Sequence, residues 1–121
     1  MRAVDRLDVG RPGFRAVRVR VTALDIENGR AGDCFGSPIS SAIKRHLRRP
    51  YAAAVAGGAV FLFDGSRTPI EHSPVKLPTR AEALQVEFDR SRFVHPFAFN
   101  LPLPVDFLKR PGAARPGFAR G

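Results

Sequence analysis

The residues best suited to chemistry lie in a loop at positions 29–37 and in the helix predicted after it. The loop contains Cys34, the single cysteine of the chain. A thiol just before a helix N-terminus lies where the helix dipole favours the thiolate, which is a nucleophile. Nucleophilic catalysis also needs a base positioned beside the thiol. His46 is about three helical turns further on, too far to reach Cys34 directly, and only the fold could bring His72 or His95 close.

These residues predict no catalytic site, and we expect the protein not to be an enzyme. Free cysteine is among the most buried residue types, so we interpret Cys34 as a small buried hydrophobe. A Cys34-dependent thiol enzyme is the least favoured alternative. The potential metal ligands are scattered, without His-x-His or Cys-x-x-Cys spacing. We therefore expect no metal ion and no other cofactor, and we expect Asp33 to bond to backbone amides of the loop.

The start of the same helix suggests a second kind of chemistry, the binding of an anion. Backbone N–H groups of residues 32–37 could surround a phosphate, with serine hydroxyls beside them. The candidate residues are Gly36, Ser37, Ser40 and Ser41. Because the segment lacks the Gly-x-x-x-x-Gly-Lys-[Ser/Thr] spacing of a P-loop, ordinary capping of the helix is the competing interpretation. If the site exists, the protein would sequester a phosphorylated small molecule or a nucleotide at residues 32–41.

The charge of the chain favours a polyanionic partner. Twenty Lys and Arg residues against 11 Asp and Glu give a net charge of +9, which is typical of proteins that bind nucleic acid or an acidic surface. An arginine-rich composition also arises from a GC-rich genome, and the charge alone does not separate these explanations. Phe35 and Tyr51 are candidate stacking groups for bases. The candidate binding residues are Arg18, Arg20, Lys44, Arg45, Arg48 and Arg49.

Local patterns predict an α+β domain in which two main helices pack on a small, mostly antiparallel sheet, in the order β-α-α-β-β-(β)-α-β. The capping signals are Thr22 with Asp25, Ser37 with Pro38, and Thr79 with Glu82. Gly29 is predicted to end the first helix in a left-handed conformation. The other predicted elements are a strand at 14–21, a helix over about 38–48, a hairpin at 51–55 and 59–63, and a last strand through Phe97, Phe99 and Leu101. Residues 66–70 are predicted to form an edge strand or an irregular excursion, because of Pro69 and Pro74.

Composition predicts one domain, with few core-forming residues at either end of the chain. We expect residues 1–13 to be a flexible segment, 14–103 to be the domain, and 104–121 to be a flexible basic tail rich in Pro, Gly and Arg. No run of 18 apolar residues predicts a transmembrane helix. With one cysteine and no hydrophobic signal segment, we expect a cytoplasmic protein.

Residues 21–43 carry a motif that resembles a group of small uncharacterised proteins from bacteriophages and high-GC bacteria. Their pattern is V-T-x-x-D-I-x-x-G-x-x-G-D-C-x-x-C-P-I-A-x-A-I, and here Ser37 replaces the second cysteine. The resemblance, extended through a capped helix and an aromatic strand at 79–101, covers about 80 residues. It implies a phage or mobile-element origin and no particular activity.

Taken together, the sequence favours a small basic binding protein that is not an enzyme. Its expected partner is a nucleic acid, or the acidic surface of a host complex for nucleic-acid handling or defence, which it would inhibit. We expect no membrane partner, and a homodimer is compatible with the sequence.

Overall fold

A computed structural model of the protein describes residues 13–66, 68–70 and 74–109. Residues 1–12 of the predicted N-terminal segment and residues 110–121 of the predicted tail lie outside this part. The α+β class and the predicted order of elements are confirmed. The elements are β1 (Phe14–Val21), α1 (Ala23–Asn28), α2 (Pro38–Lys44), β2 (Ala52–Ala56), β3 (Ala59–Phe63), β4 (Val75–Lys76), α3 (Thr79–Ser91), β5 (Phe97–Pro104) and a 3₁₀ turn (Val105–Phe107).

The strands form two antiparallel sheets, whereas the sequence suggested one. β1 pairs with β5, from Phe14 opposite Pro104 to Val21 opposite Phe97. The other sheet has the order β2-β3-β4. Pro102 and Pro104 lack the N–H groups that a second neighbour of β5 would need, which favours a sheet that ends at this strand.

Strand β1 has the predicted alternation of buried and exposed residues. Val17, Val19 and Val21 are buried, while Arg18 and Arg20 are exposed. The valines lie opposite the apolar residues of β5 on the core side of the two-stranded sheet. One face of this sheet is therefore core and the other faces solvent.

Helix α2 connects the two sheets. It packs against both β1 and β2, and its buried residues Ile39, Ala42 and Ile43 belong to the hydrophobic core. The predicted Ser37 cap and Pro38 start are confirmed. The helix ends at Lys44 and does not reach the predicted position 48, so the basic residues that follow lie in turns.

The N-terminus of α1 is capped as predicted, but its C-terminus is not. Thr22 and Asp25 form the complete capping box. Gly29 has a φ of −73° and is extended, not left-handed. A Cβ atom at Gly29 would lie 2.7 Å from the Pro38 ring. Glycine is needed here because the α1–α2 connection passes close to the start of α2.

The β2–β3 hairpin is confirmed, with positive φ at Gly57 and Gly58 as a tight primed turn requires. Of the two alternatives for 66–70, the described residues form the irregular excursion and not the edge strand: Pro69 forms only an isolated bridge to Phe63, and β4 lies further along the chain. Thr79 is also not a cap. It is the first helical residue of α3, Pro78 precedes it, and no side chain caps this helix.

Residues 104–109 pack on the domain, although the sequence assigned them to the flexible tail. The Val105 N–H donates to the Gly13 carbonyl (2.7 Å), and the Lys109 N–H donates to that of His46 (3.0 Å). Leu108 bridges to Leu47 and is 5% exposed. The packed part of the chain thus extends at least six residues past the predicted boundary at 103.

Replacing Leu108 with Ala is expected to lower the free energy of unfolding by about 2–4 kcal/mol, because it leaves a cavity beneath the C-terminal segment. The 42%-exposed Val105 is a matched control, and Val105→Ala should cost less than about 1 kcal/mol. Urea unfolding measures both. Equal small losses would show that residues 104–109 are not docked.

Candidate functional site

The loop before α2 is closed by its own acidic residue. The Asp33 carboxylate accepts hydrogen bonds from the N–H groups of Phe35 and Gly36, both at 3.0 Å. This is the loop-stabilising role predicted for Asp33. The N–H groups of Phe35 and Gly36, which were candidates for binding an external anion, therefore already bind the carboxylate of Asp33.

The serines of this segment are also used within the fold. The buried Ser37 hydroxyl accepts from the Ser40 N–H (3.1 Å), and the Ser40 hydroxyl, also buried, lies 2.6 Å from the Ala53 carbonyl oxygen. The Ser41 N–H donates to the Ser37 carbonyl inside the helix. The geometry of Gly36, Ser37, Ser40 and Ser41 thus favours capping over an anion site.

Cys34 is exposed, so the interpretation as a buried hydrophobe is wrong. The loop meets the edge of β2 through backbone, since the Cys34 carbonyl accepts from the Val55 N–H (2.9 Å). Among the described residues, no histidine hydrogen-bonds the thiol, and no three His, Cys, Asp or Glu side chains gather as metal ligands would. His95 is exposed, and His72 lies outside the described residues.

Arg45, predicted to bind a partner, instead forms an internal ion pair. Its guanidinium makes two hydrogen bonds to the buried Asp25 carboxylate, with Nη2 2.8 Å from Oδ2. The same Nη2 donates to the Arg20 carbonyl (2.8 Å). Since Asp25 also caps α1, this one arginine connects α1, α2 and β1.

The pair keeps Asp25 ionised despite its burial. Burial opposes the charged form, but hydrogen bonds from the Arg45 guanidinium and the Thr22 backbone outweigh it and lower the pKa of Asp25. The carboxylate is thus permanently charged near neutral pH, and Arg45 is its only cationic partner among the described residues.

Arg48 supports the C-terminal segment. Its Nε donates to the Asp106 carbonyl (2.6 Å), and its backbone N–H donates to the Phe107 carbonyl (3.0 Å). The guanidinium carbon lies 5.3 Å from the centroid of the Tyr51 ring, within range of a cation–π contact. The side chain nevertheless remains exposed.

The remaining candidate cations lie on contiguous segments. β1 packs against α2, and the segment at 105–109 bonds to both Gly13 and residues 46–48. Apart from Arg45, no exposed cation of these segments takes part in an ion pair of the described residues. We call these cations, without Arg45, the basic surface: Arg15, Arg18, Arg20, Lys44, Arg48, Arg49 and Lys109. Arg18 and Arg20 lie on the solvent face of β1, whereas Arg15 lies on the face of the buried valines.

Two of these residues, Arg15 and Lys109, were missed in the sequence. Arg15 directly follows the buried Phe14 and does not belong to the alternation of buried valines and exposed arginines at 17–21. Lys109 lies in the segment that the sequence assigned to the flexible tail. Both lie near the half-buried His46. Burial, then the positive charges of Arg45, Lys109 and Arg15, lower the pKa of His46. A neutral histidine thus sits within a positively charged cluster.

The two candidate stacking residues have different surroundings. Phe35 is 56% exposed and its ring lies 5.3 Å from that of Phe63. Tyr51 is half-buried, and its ring centroid is 4.5 Å from that of Phe107, next to Arg48. Only Tyr51 directly adjoins the basic surface through a described contact.

Comparison of the chain with protein-family models, with curated proteins and with solved structures finds no match. The function must therefore be argued from the chain's own geometry.

Within the described residues, no helix combines the length and apolar character needed to cross a membrane.

Replacing Arg45 with Gln is expected to destabilise the fold by about 1–3 kcal/mol, because it leaves a buried carboxylate without its cation. The figure is below that of a fully buried pair because the Arg45 side chain is 48% exposed. A double-mutant cycle with Asp25→Asn should show coupling of about 1 kcal/mol. The control is Lys76→Gln, which breaks an exposed pair with Glu82 and should cost less than about 0.5 kcal/mol. If Arg45→Gln destabilised the protein no more than Lys76→Gln does, the stabilising role assigned to the Asp25–Arg45 pair would be wrong.

Acidification is expected to destabilise the protein through His46. Its pKa in the folded state is lower than the ordinary value of about 6.5, so the unfolded chain binds the proton more readily. Stability is therefore retained above about pH 6.5 and falls as the pH drops below it. Thermal unfolding between pH 7.5 and 5 should show a smaller fall for His46→Gln than for the exposed-site control His95→Gln. Identical pH profiles for the two variants would exclude His46 as the source.

Proposed function

We propose that the protein is a non-enzymatic binding protein whose basic surface contacts the phosphate groups of a nucleic acid. The supporting observation is the concentration of exposed cations without an ion pair on β1, on residues 44–49 other than Arg45, and at Lys109. Such a surface creates a positive potential that attracts polyanions and releases their counterions on binding.

The distribution of ion pairs supports this assignment. Three of the four ion pairs among the described residues are formed away from the basic surface, by Arg30 with Asp33, Lys76 with Glu82, and Arg90 with Glu87. The fourth neutralises Arg45, which is needed inside the fold. None of these four ion pairs therefore involves a residue of the basic surface, and the exposed Asp106 beside Arg48 forms no ion pair among the described residues.

Arg18 and Arg20 are the residues best placed to contact phosphate first. They lie two positions apart on the solvent face of β1, about 7 Å along the strand. Arg18 has only a long contact of 3.5 Å to Asn100, and both side chains are exposed. Neither is needed by the core, so they are free to reorient toward a bound strand.

The other hypotheses gain less support. A nucleotide site at 32–41 would compete with Asp33 for the same amides, and a thiol enzyme would need a base that no described residue supplies to Cys34. The acidic surface of a host defence complex fits the same charge pattern, and the resemblance to phage proteins offers a setting for it. Capture from host lysate with and without nuclease distinguishes the two partners: loss of captured material after nuclease treatment supports nucleic acid.

The double variant Arg18→Gln, Arg20→Gln is expected to weaken binding to a labelled 20-nucleotide strand by about tenfold or more at low salt. It should also make the slope of log affinity against log salt concentration shallower by about 1–2, since two phosphate contacts are lost. Fluorescence anisotropy at several salt concentrations measures both quantities.

The matched control is Arg30→Gln, Arg80→Gln, which removes the same charge outside the basic surface. It should change the affinity by less than threefold and leave the slope nearly unchanged. An equal loss of affinity in both double variants would show that binding depends only on the net charge of the protein. It would contradict binding through the basic surface.

A further inference from the structure

A cleft with an aromatic wall lies beside the basic surface. Its volume is about 410 Å³, within the range of sites for small ligands. Tyr51, Ile70 and Phe107 provide apolar lining, and Asp64, Ser66 and Thr68 provide polar lining. The cleft combines the two kinds of surface that a planar, hydrogen-bonding ring requires.

The polar side of the cleft is organised by short-range hydrogen bonds. The Asp64 carboxylate accepts from the Ser66 N–H (3.2 Å), and the Ser66 hydroxyl accepts from the Thr68 N–H (3.2 Å). Hydrogen bonds from Ser66 lower the pKa of Asp64, so the carboxylate is ionised and able to accept. A carboxylate has about four acceptor positions, so the hydrogen bonds from Ser66 leave others for a ligand.

The aromatic wall is tied to the basic surface through Arg48. Phe107 belongs to the 3₁₀ turn whose carbonyl groups bond to Arg48, and Tyr51 lies under the Arg48 guanidinium. The exposed Arg49 is adjacent in the chain. A ligand in the cleft that carries a phosphate outside it would therefore meet cations at once.

We infer that the cleft receives one unpaired nucleobase of the nucleic acid held on the basic surface, with the base against Tyr51, Phe107 and Ile70 and its N–H groups directed to Asp64. This inference rests on the proposed function. A nucleotide has an uncharged ring with hydrogen-bond donors and an adjacent negative phosphate. Among the described residues, Asp64 is the one carboxylate that lines the cleft, and Arg48 and Arg49 lie beside it. An acidic peptide would instead place carboxylates against Asp64.

Two properties follow from this assignment. In a duplex the base edges are paired and stacked, so the cleft selects single strands, loops or ends. A carboxylate accepts from the N–H groups of a base edge, as it does from the amino group of cytosine. Bases with exocyclic amino groups should therefore occupy the cleft better than uracil or thymine.

The first test compares two single strands of equal length and charge, one with mixed bases and one with abasic residues at alternate positions. The full-length protein is expected to bind the base-bearing strand at least fivefold more tightly at the same salt concentration. Equal affinity would overturn the cleft assignment while leaving the salt-dependent phosphate contacts of the proposed function in place.

The second test uses two variants that each remove one negative charge, Asp64→Asn and Glu27→Gln. Glu27 is exposed on α1, away from the cleft, so Glu27→Gln should leave binding to a polyanion unchanged or slightly stronger. Asp64→Asn is expected to weaken binding of the base-bearing strand about tenfold, against the electrostatic trend, and to leave the abasic strand unaffected.

The outcomes separate the two proposals. Strengthened binding in Asp64→Asn, parallel to Glu27→Gln, would exclude a base at Asp64 without affecting the phosphate surface. If neither strand binds, or if binding does not depend on salt, the proposed function fails and this inference fails with it.

Discussion

The ion pair between Asp25 and Arg45 is the interaction on which the rest of the structure depends most. A buried carboxylate is tolerated only when its charge and its lone pairs are satisfied. Here the Thr22 backbone and the Arg45 guanidinium do so together, and the guanidinium also reaches the Arg20 carbonyl. This fixes α2 against β1. Because α2 packs on both sheets, the same pair also sets the relation of the sheets and the position of residues 44–49 beside β1.

Features determined by neighbouring residues could be predicted from the sequence, and features determined by distant residues could not. The capping box at Thr22, the Ser37–Pro38 start of α2 and the glycine turn of the hairpin each depend on a few adjacent positions. Arg45 lies 20 residues from Asp25. The residues around Arg45 therefore do not distinguish it in the sequence from a cation that faces solvent without a partner. Leu108 is followed by a basic stretch rich in Pro, Gly and Arg, and its burial depends on Leu47, far away in the chain.

Thr79 and Cys34 show how the same local signals can mislead. Thr79 with Glu82 repeats the spacing of the capping box at Thr22, yet the Glu82 side chain pairs with Lys76 of β4 and the helix begins one residue earlier than a Thr79 cap would allow. Cys34 is small and apolar, but its loop meets β2 through a carbonyl group, which leaves the thiol outside. In both cases a contact with another element, through a side chain for Glu82 and through the backbone for Cys34, accompanies the departure from the local pattern.

Composition reveals the amount of charge on the chain but not how it is distributed. An arginine excess that arose from genome composition alone would give no reason for Asp33, Glu82 and Glu87 to pair with other cations while Arg18, Arg20 and Lys44 have no acidic partner among the described residues. The arginines of the second group also have separate roles: Arg45 serves the core, and Arg48 connects the C-terminal segment to an aromatic wall. A guanidinium can stabilise the fold with some of its N–H groups and keep others for a ligand. Arg48 has this arrangement, since it bonds to the C-terminal segment while its side chain stays exposed, and in the proposed interaction it is the residue at which the basic surface meets the cleft.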